Sequence, residues 1–153
     1  MRYSISEWGC VIDGAQDQRK NLFDLIIKNI EKVNPPETNW GFHYITTKGL
    51  LFVISLKKRE FLVIRSNIVK GYDIAVSVDS FGNTLAVHSG LVIFERPADW
   101  ERKKISWEDQ TLLSDWATVI FHSVQDACRE LMGNLGQSPE RLKAETKGIL
   151  SVW

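Results

Sequence analysis

Between residues 40 and 97 the chain carries run after run of β-branched and aromatic residues, at 50–56, 60–65, 72–78 and 91–94, with only short polar breaks between them. Such runs suit the pleated, half-buried surface of a sheet. Parallel neighbours need long crossover connections, and these breaks leave no room for them, so consecutive strands are expected to pair antiparallel. Residues 40–45 supply a first strand, Thr47-Lys48-Gly49 a turn, and Lys57-Lys58-Arg59 a charged hairpin connection. Residues 50–56 and 61–64 are apolar on both faces, as strands covered on both sides or lying at the sheet centre would be. The run from Tyr72 differs. Side chains alternate across a strand, so Tyr72, Ile74, Val76 and Val78 form a core face while Asp73, Ala75, Ser77 and Asp79 form a small, polar one. Phe81-Gly82-Asn83 reads as a turn, and residues 84–95 as either one strand bulged at Ser89-Gly90 or two short ones.

Helical periodicity appears on either side of this stretch. Leu22, Phe23, Ile26, Ile27, Ile30 and Val33 recur at three and four residues, and Asn34-Pro35-Pro36 stops the pattern. Asp13 with Gln16 has capping-box spacing, which predicts a helix starting there. Ser106 with Asp109, and Glu108 in the first turn, predict a second helix start. Leu113, Ala117, Ile120, Val124, Ala127, Leu131 and Leu135 then make a stripe that Leu112, Trp116, Phe121, Cys128 and Met132 widen, so residues 106–135 are expected to lie across a sheet. Ser138-Pro139 predicts a short further helix through about residue 146. Residues 1–12, with Tyr3, Ile5, Val11 and Ile12 around Trp8-Gly9, read as a bent strand at the sheet edge or as an ordered arm. The fold class is therefore α+β: an antiparallel sheet of about five to six strands, an N-terminal helix, and a long C-terminal helix packed on the sheet.

This order of strand, helix, antiparallel strands and long helix resembles in outline the helix-grip architecture of the START and pollen-allergen-like ligand carriers. No motif of those families is matched, so the resemblance carries over element order and no binding residue.

At 153 residues with 44% hydrophobic side chains, one domain spanning residues 1–153 is expected. Nineteen basic and nineteen acidic residues cancel, so no overall field draws nucleic acid or an anionic membrane to the chain, and neither partner is expected. No apolar run approaches the roughly 20 residues of a membrane span, and the first residues lack a secretory pattern. A cytoplasmic location follows. Cys10 and Cys128 lie far apart without CxxC spacing, which offers no zinc site and no disulfide framework, and both are read as reduced thiols. Neither a metal nor a cofactor is expected, since ligand spacing and phosphate-binding glycine loops are both missing.

The acid-base candidates are Asp73 and Asp79, which share a strand face that His88, and His43 from an earlier strand, could join if registers align. Each aspartate also sits where strand entrances and turns use aspartate for local hydrogen bonding. Lys57-Lys58-Arg59 and Arg102-Lys103-Lys104, near Trp100 and Trp107, suggest basic aromatic patches, but Glu60, Asp99, Glu101, Glu108 and Asp109 interrupt them. Of six tryptophans, Trp116 belongs to the helix stripe, whereas Trp8, Trp100 and Trp153 fall in arms, loops or the tail and are candidates for partner contact or self-association. The leading expectation is thus a protein-binding or regulatory module without catalytic activity. The alternatives are a small apolar ligand held between sheet and long helix, near Ala75, Ser77, Ala86 and His88, and an enzyme using Asp73, Asp79 and His88.

Overall fold

The computed structural model describes residues 3–47, 57–93 and 105–148. They form an open antiparallel sheet of six strands with two helices: β1 (Tyr3–Asp13), α1 (Arg19–Val33), β2 (Thr38–Thr47), β3 (Lys57–Ser66), β4 (Tyr72–Phe81), β5 (Thr84–Ile93), α2 (Trp107–Asn134) and β6 (Lys143–Gly148). The spatial order is β2-β3-β4-β5-β1-β6. The fold class is therefore α+β, with the short helix N-terminal and the long one C-terminal. The strand expected at residues 50–56 lies outside the described residues.

Alternation sets the two faces. Trp8, Cys10 and Ile12 of β1 share the helix-covered face with Leu62, Ile64, Ile74, Val76, Leu85, Val87 and Leu91, all of them in the buried core. At about 25 cal/mol per Å² this apolar face is the main source of stability. α1 seals one part of it with Leu22, Phe23, Ile26 and Ile30, and α2 the rest with Leu113, Ala117, Ile120, Val124 and Leu131. Trp116 donates its Nε1–H to Thr38 Oγ1 of β2 at 3.1 Å, while Cys128, twelve residues on, meets Cys10 of β1. Twelve helical residues rise about 18 Å, and four strand spacings are about 19 Å, so α2 crosses the sheet from β2 to β1. Asn29 Nδ2 donates to the Ser123 carbonyl and ties the helices together. Arg19 Nε, donating to the Val78 carbonyl, fixes α1 on β4.

Local signals explain most boundaries. Ser106 Oγ accepts from the Asp109 amide at 3.1 Å, the expected N-cap, with Glu108 and Asp109 at the positive end of the dipole. Asn34, in the left-handed region at φ 49°, caps α1 through its amide to the Ile30 carbonyl. Gly82, at φ +57°, occupies a turn position between β4 and β5 that disfavours a Cβ.

Several expectations are corrected. α1 starts at Arg19, not at Asp13, because Asp13 ends β1 and its carboxylate pairs with Lys143. Lys57, Lys58 and Arg59 belong to β3 instead of a hairpin loop, since their backbones pair with Thr47, Thr46 and Ile45. β5 is one strand without a bulge at Ser89-Gly90; the irregularity is on β1, between Ser4 and Ser6. The short helix after Ser138-Pro139 is a single 3-10 turn, Pro139–Arg141, because the chain then becomes β6 and satisfies the backbone of β1. β1 is thereby an interior strand, neither an edge nor an arm. No helix among the described residues is long and apolar enough to cross a membrane.

Candidate functional site

The sheet face turned away from the helices carries the charged candidates, and its register separates them. Asp73 and Asp79 are six residues apart on β4, about 20 Å. Asp73 is 1% exposed and accepts a two-pronged bond from Arg65 of β3, Nε to Oδ1 at 2.8 Å and Nη2 to Oδ2 at 2.9 Å. That hydrogen bond, and then the charge of Asp73, hold the Arg65 guanidinium above its ordinary pKa against a smaller loss from burial. Asp79 pairs with Arg59, and Arg59 also stacks over Phe61, 5.6 Å from the ring centre. His88 stands opposite Ser77 on β5, with its Nε2 3.4 Å from Glu7 Oε2 of β1. His43 lies exposed on β2, three strands from β5 and so about 14 Å away. The three acid-base candidates thus belong to three separate pairs. Among the described residues no group of three or more His, Cys, Asp or Glu could hold a metal ion.

Around the His88–Glu7 pair the face dips into an open trough of about 720 Å³ across β5, β1 and β6. Gly9 makes its floor: a Cβ there would stand 3.4 Å from the Val87 carbonyl and 3.7 Å from His88 Cδ2. Val11 and Ala86 add apolar floor, and Glu7, His88, Lys143 and Glu145 the rim. Such mixed walls can seat a small charged group. On the opposite face, a gap between sheet and long helix, at Ser66, Ile68, Val69, Leu112, Leu113 and Trp116, is too small for a water.

The tryptophan candidates divide. Trp8 is 3% exposed and packs in the core, so β1 places it beneath the helices and not on a surface arm. Trp100 and Trp153 lie outside the described residues. Trp107, in the first turn of α2, is 77% exposed.

Sequence reasoning passed over the outer edge of β2, which is terminal among the described strands. It is ten residues long, Thr38–Thr47, contains no Asp, Glu, Lys, Arg or Pro, and has no described element on its outer side. Its first half is anchored, Trp40 against the core and Thr38 to Trp116. Further along, Phe42 makes an edge-to-face contact with Phe23 of α1 at 5.1 Å yet is 46% exposed, and Tyr44 is 70% exposed. The opposite edge, β6, has six residues and alternates Lys143, Glu145 and Lys147. Natural sheets use short length and charge to blunt edges; β6 has both features, whereas β2 has neither and no described element lies on its outer side. The signal was in the sequence as Trp40, Phe42 and Tyr44 at every second position of an uncharged run.

Compared with known protein families, with curated proteins and with solved structures, the chain matches none.

Proposed function

We propose that this chain is a protein-binding module that receives an extended polypeptide segment along the outer edge of β2, which no described element covers. One observation carries the reading: a ten-residue edge without charge or proline, flanked by the exposed rings of Phe42 and Tyr44, beside a second edge that is short and charged. In strand addition the unpaired N–H and C=O groups of an edge supply main-chain hydrogen bonds, and side chains beside the edge select alternate residues of the incoming strand. Phe42 and Tyr44 are neighbours on one face, which suits a segment carrying apolar residues at every second position. Association depends on edge geometry and not on net charge, in keeping with the balanced composition.

A displayed library of random linear peptides, selected on the full chain, tests this. The selected sequences are expected to alternate apolar and polar residues, and to shift the backbone amide resonances of residues 38–47. Tyr44→Lys puts a charge beside the edge at an exposed position and should abolish their binding while leaving the unfolding midpoint in place. Peptides that shift the amides of β1, β5 and β6 instead would move the binding function to the Gly9 trough and overturn the edge reading.

A further inference from the structure

The thiols of Cys10 and Cys128 meet inside the core, one from the middle of β1 and one from the C-terminal half of α2. Their Sγ atoms are 3.7 Å apart, both residues are buried, and they are separated by 118 positions in the chain. A disulfide brings sulfurs to about 2.0 Å, so closure asks for about 1.7 Å of approach, within the reach of small side-chain rotations on two elements already packed together. We propose that Cys10 and Cys128 are a cross-linking site: a peroxide-class oxidant converts them to an intrachain disulfide that clamps α2 onto β1.

The electrons balance in two steps. The Cys10 sulfur, as thiolate, attacks one peroxide oxygen; the O–O bond breaks, the other oxygen leaves as hydroxide and takes a proton to become water, and Cys10 becomes a sulfenic acid. The Cys128 thiol, giving up its proton, attacks the Cys10 sulfur and expels the second oxygen as water. Two thiols are oxidised by two electrons and one peroxide is reduced to two waters. Cys10 is the first to react because it is 5% exposed and Cys128 is fully buried. The Cys128 thiol is pushed above its usual range, first by its hydrogen bond with Cys10 and then by burial, which leaves the more exposed Cys10 the better placed to react first. Burial also slows the reaction, which speeds up when local opening of α2 from the sheet exposes more of the pair. The cross-link is therefore slow to form in the native chain and, once formed, suppresses that opening.

The full-length chain, purified under reducing conditions, is treated with hydrogen peroxide at low protein concentration, with and without a sub-denaturing amount of urea. Expected are the loss of both titratable thiols, faster migration of the monomer on a non-reducing gel, and one cross-linked peptide pair containing Cys10 and Cys128. Urea below the unfolding transition should speed the reaction several-fold. The oxidised chain should unfold at a higher denaturant concentration than the reduced one, with dithiothreitol restoring the original midpoint. Cys10→Ala and Cys128→Ala should each leave one thiol and no fast-migrating band. Two thiols that survive oxidation in urea, disulfides only between chains, or a lower midpoint after oxidation would overturn the proposal. The wild-type comparison carries the test even where an alanine variant folds poorly.

Discussion

The Arg65–Asp73 pair is asymmetric, and the asymmetry predicts which partner is costly to remove. The carboxylate is 1% exposed, whereas the guanidinium side chain is 48% exposed. Replacing Arg65 by methionine keeps the stem that lies along the sheet but strands a negative charge away from water. Replacing Asp73 by asparagine removes that charge, keeps an acceptor, and leaves behind a cation that solvent already touches. Breaking a buried pair from one side costs about 3–5 kcal/mol, and because one end here is wet the lower figure applies, about 3 kcal/mol for Arg65→Met. Asp73→Asn should cost about 1 kcal/mol, the usual worth of a hydrogen bond exchanged for a weaker one. In the double variant no charge remains to be stranded, so the combined loss should fall short of the sum by about 1–2 kcal/mol. Urea unfolding of the four chains at neutral pH, read as midpoints with unchanged slopes, measures all three quantities. A loss for Arg65→Met no larger than that for Asp73→Asn would refute the reasoning, because it would mean that the carboxylate finds water as readily as the guanidinium does.

Two tryptophans outside the helix stripe, Trp8 and Trp107, should behave oppositely in the same assay: Trp8→Ala, from the core, should lose about 3–5 kcal/mol, while Trp107→Ala, exposed on the first turn of α2, should stay within about 0.5 kcal/mol of the parent. Leu113→Ala and Leu131→Ala, at either end of the buried face of α2, should each cost about 2–5 kcal/mol. No meaningful midpoint shift at either leucine would count against α2 as the cover of the sheet.

The elements legible in the sequence were those whose pattern is local. Alternation from Tyr72 to Val78 gave the correct inward face of β4, and the stripe from Leu113 to Leu131 with its Ser106 cap gave α2 almost to the residue. What failed depended on distant partners. Lys143–Gly148 has little intrinsic preference for a strand and becomes one because the backbone of β1 lies beside it. Trp8, Cys10 and Ile12 alternate as clearly as any strand in the chain, but Gly9 between them suggested a break, and only the pairing with β5 reveals it as the floor of a trough. The site candidates met the same limit. Asp73 and Asp79 are on the face their positions imply, and what they do there is set by Arg65 and Arg59 across the β3–β4 register, which no local pattern encodes. An edge position is likewise a property of sheet order, visible for Thr38–Thr47 only once the strand is seen to be terminal among the described ones.

The position of β1 in the sheet also governs how the chain is made. Residues 3–13 are the first described strand to leave a ribosome, yet their neighbours are residues 84–93 on one side and 143–148 on the other. Strand addition in order of synthesis can assemble β2 through β5 by successive hairpins, whereas β1 has to wait, unpaired, for contacts that come with large separation in sequence. Such contacts carry a heavy loop-closure cost and set the pace of folding. A nascent chain arrested before β5 therefore holds Trp8, Cys10 and Ile12 in water with no place to go. The sheet of described strands is complete only once β6, the last of them in chain order, pairs with β1.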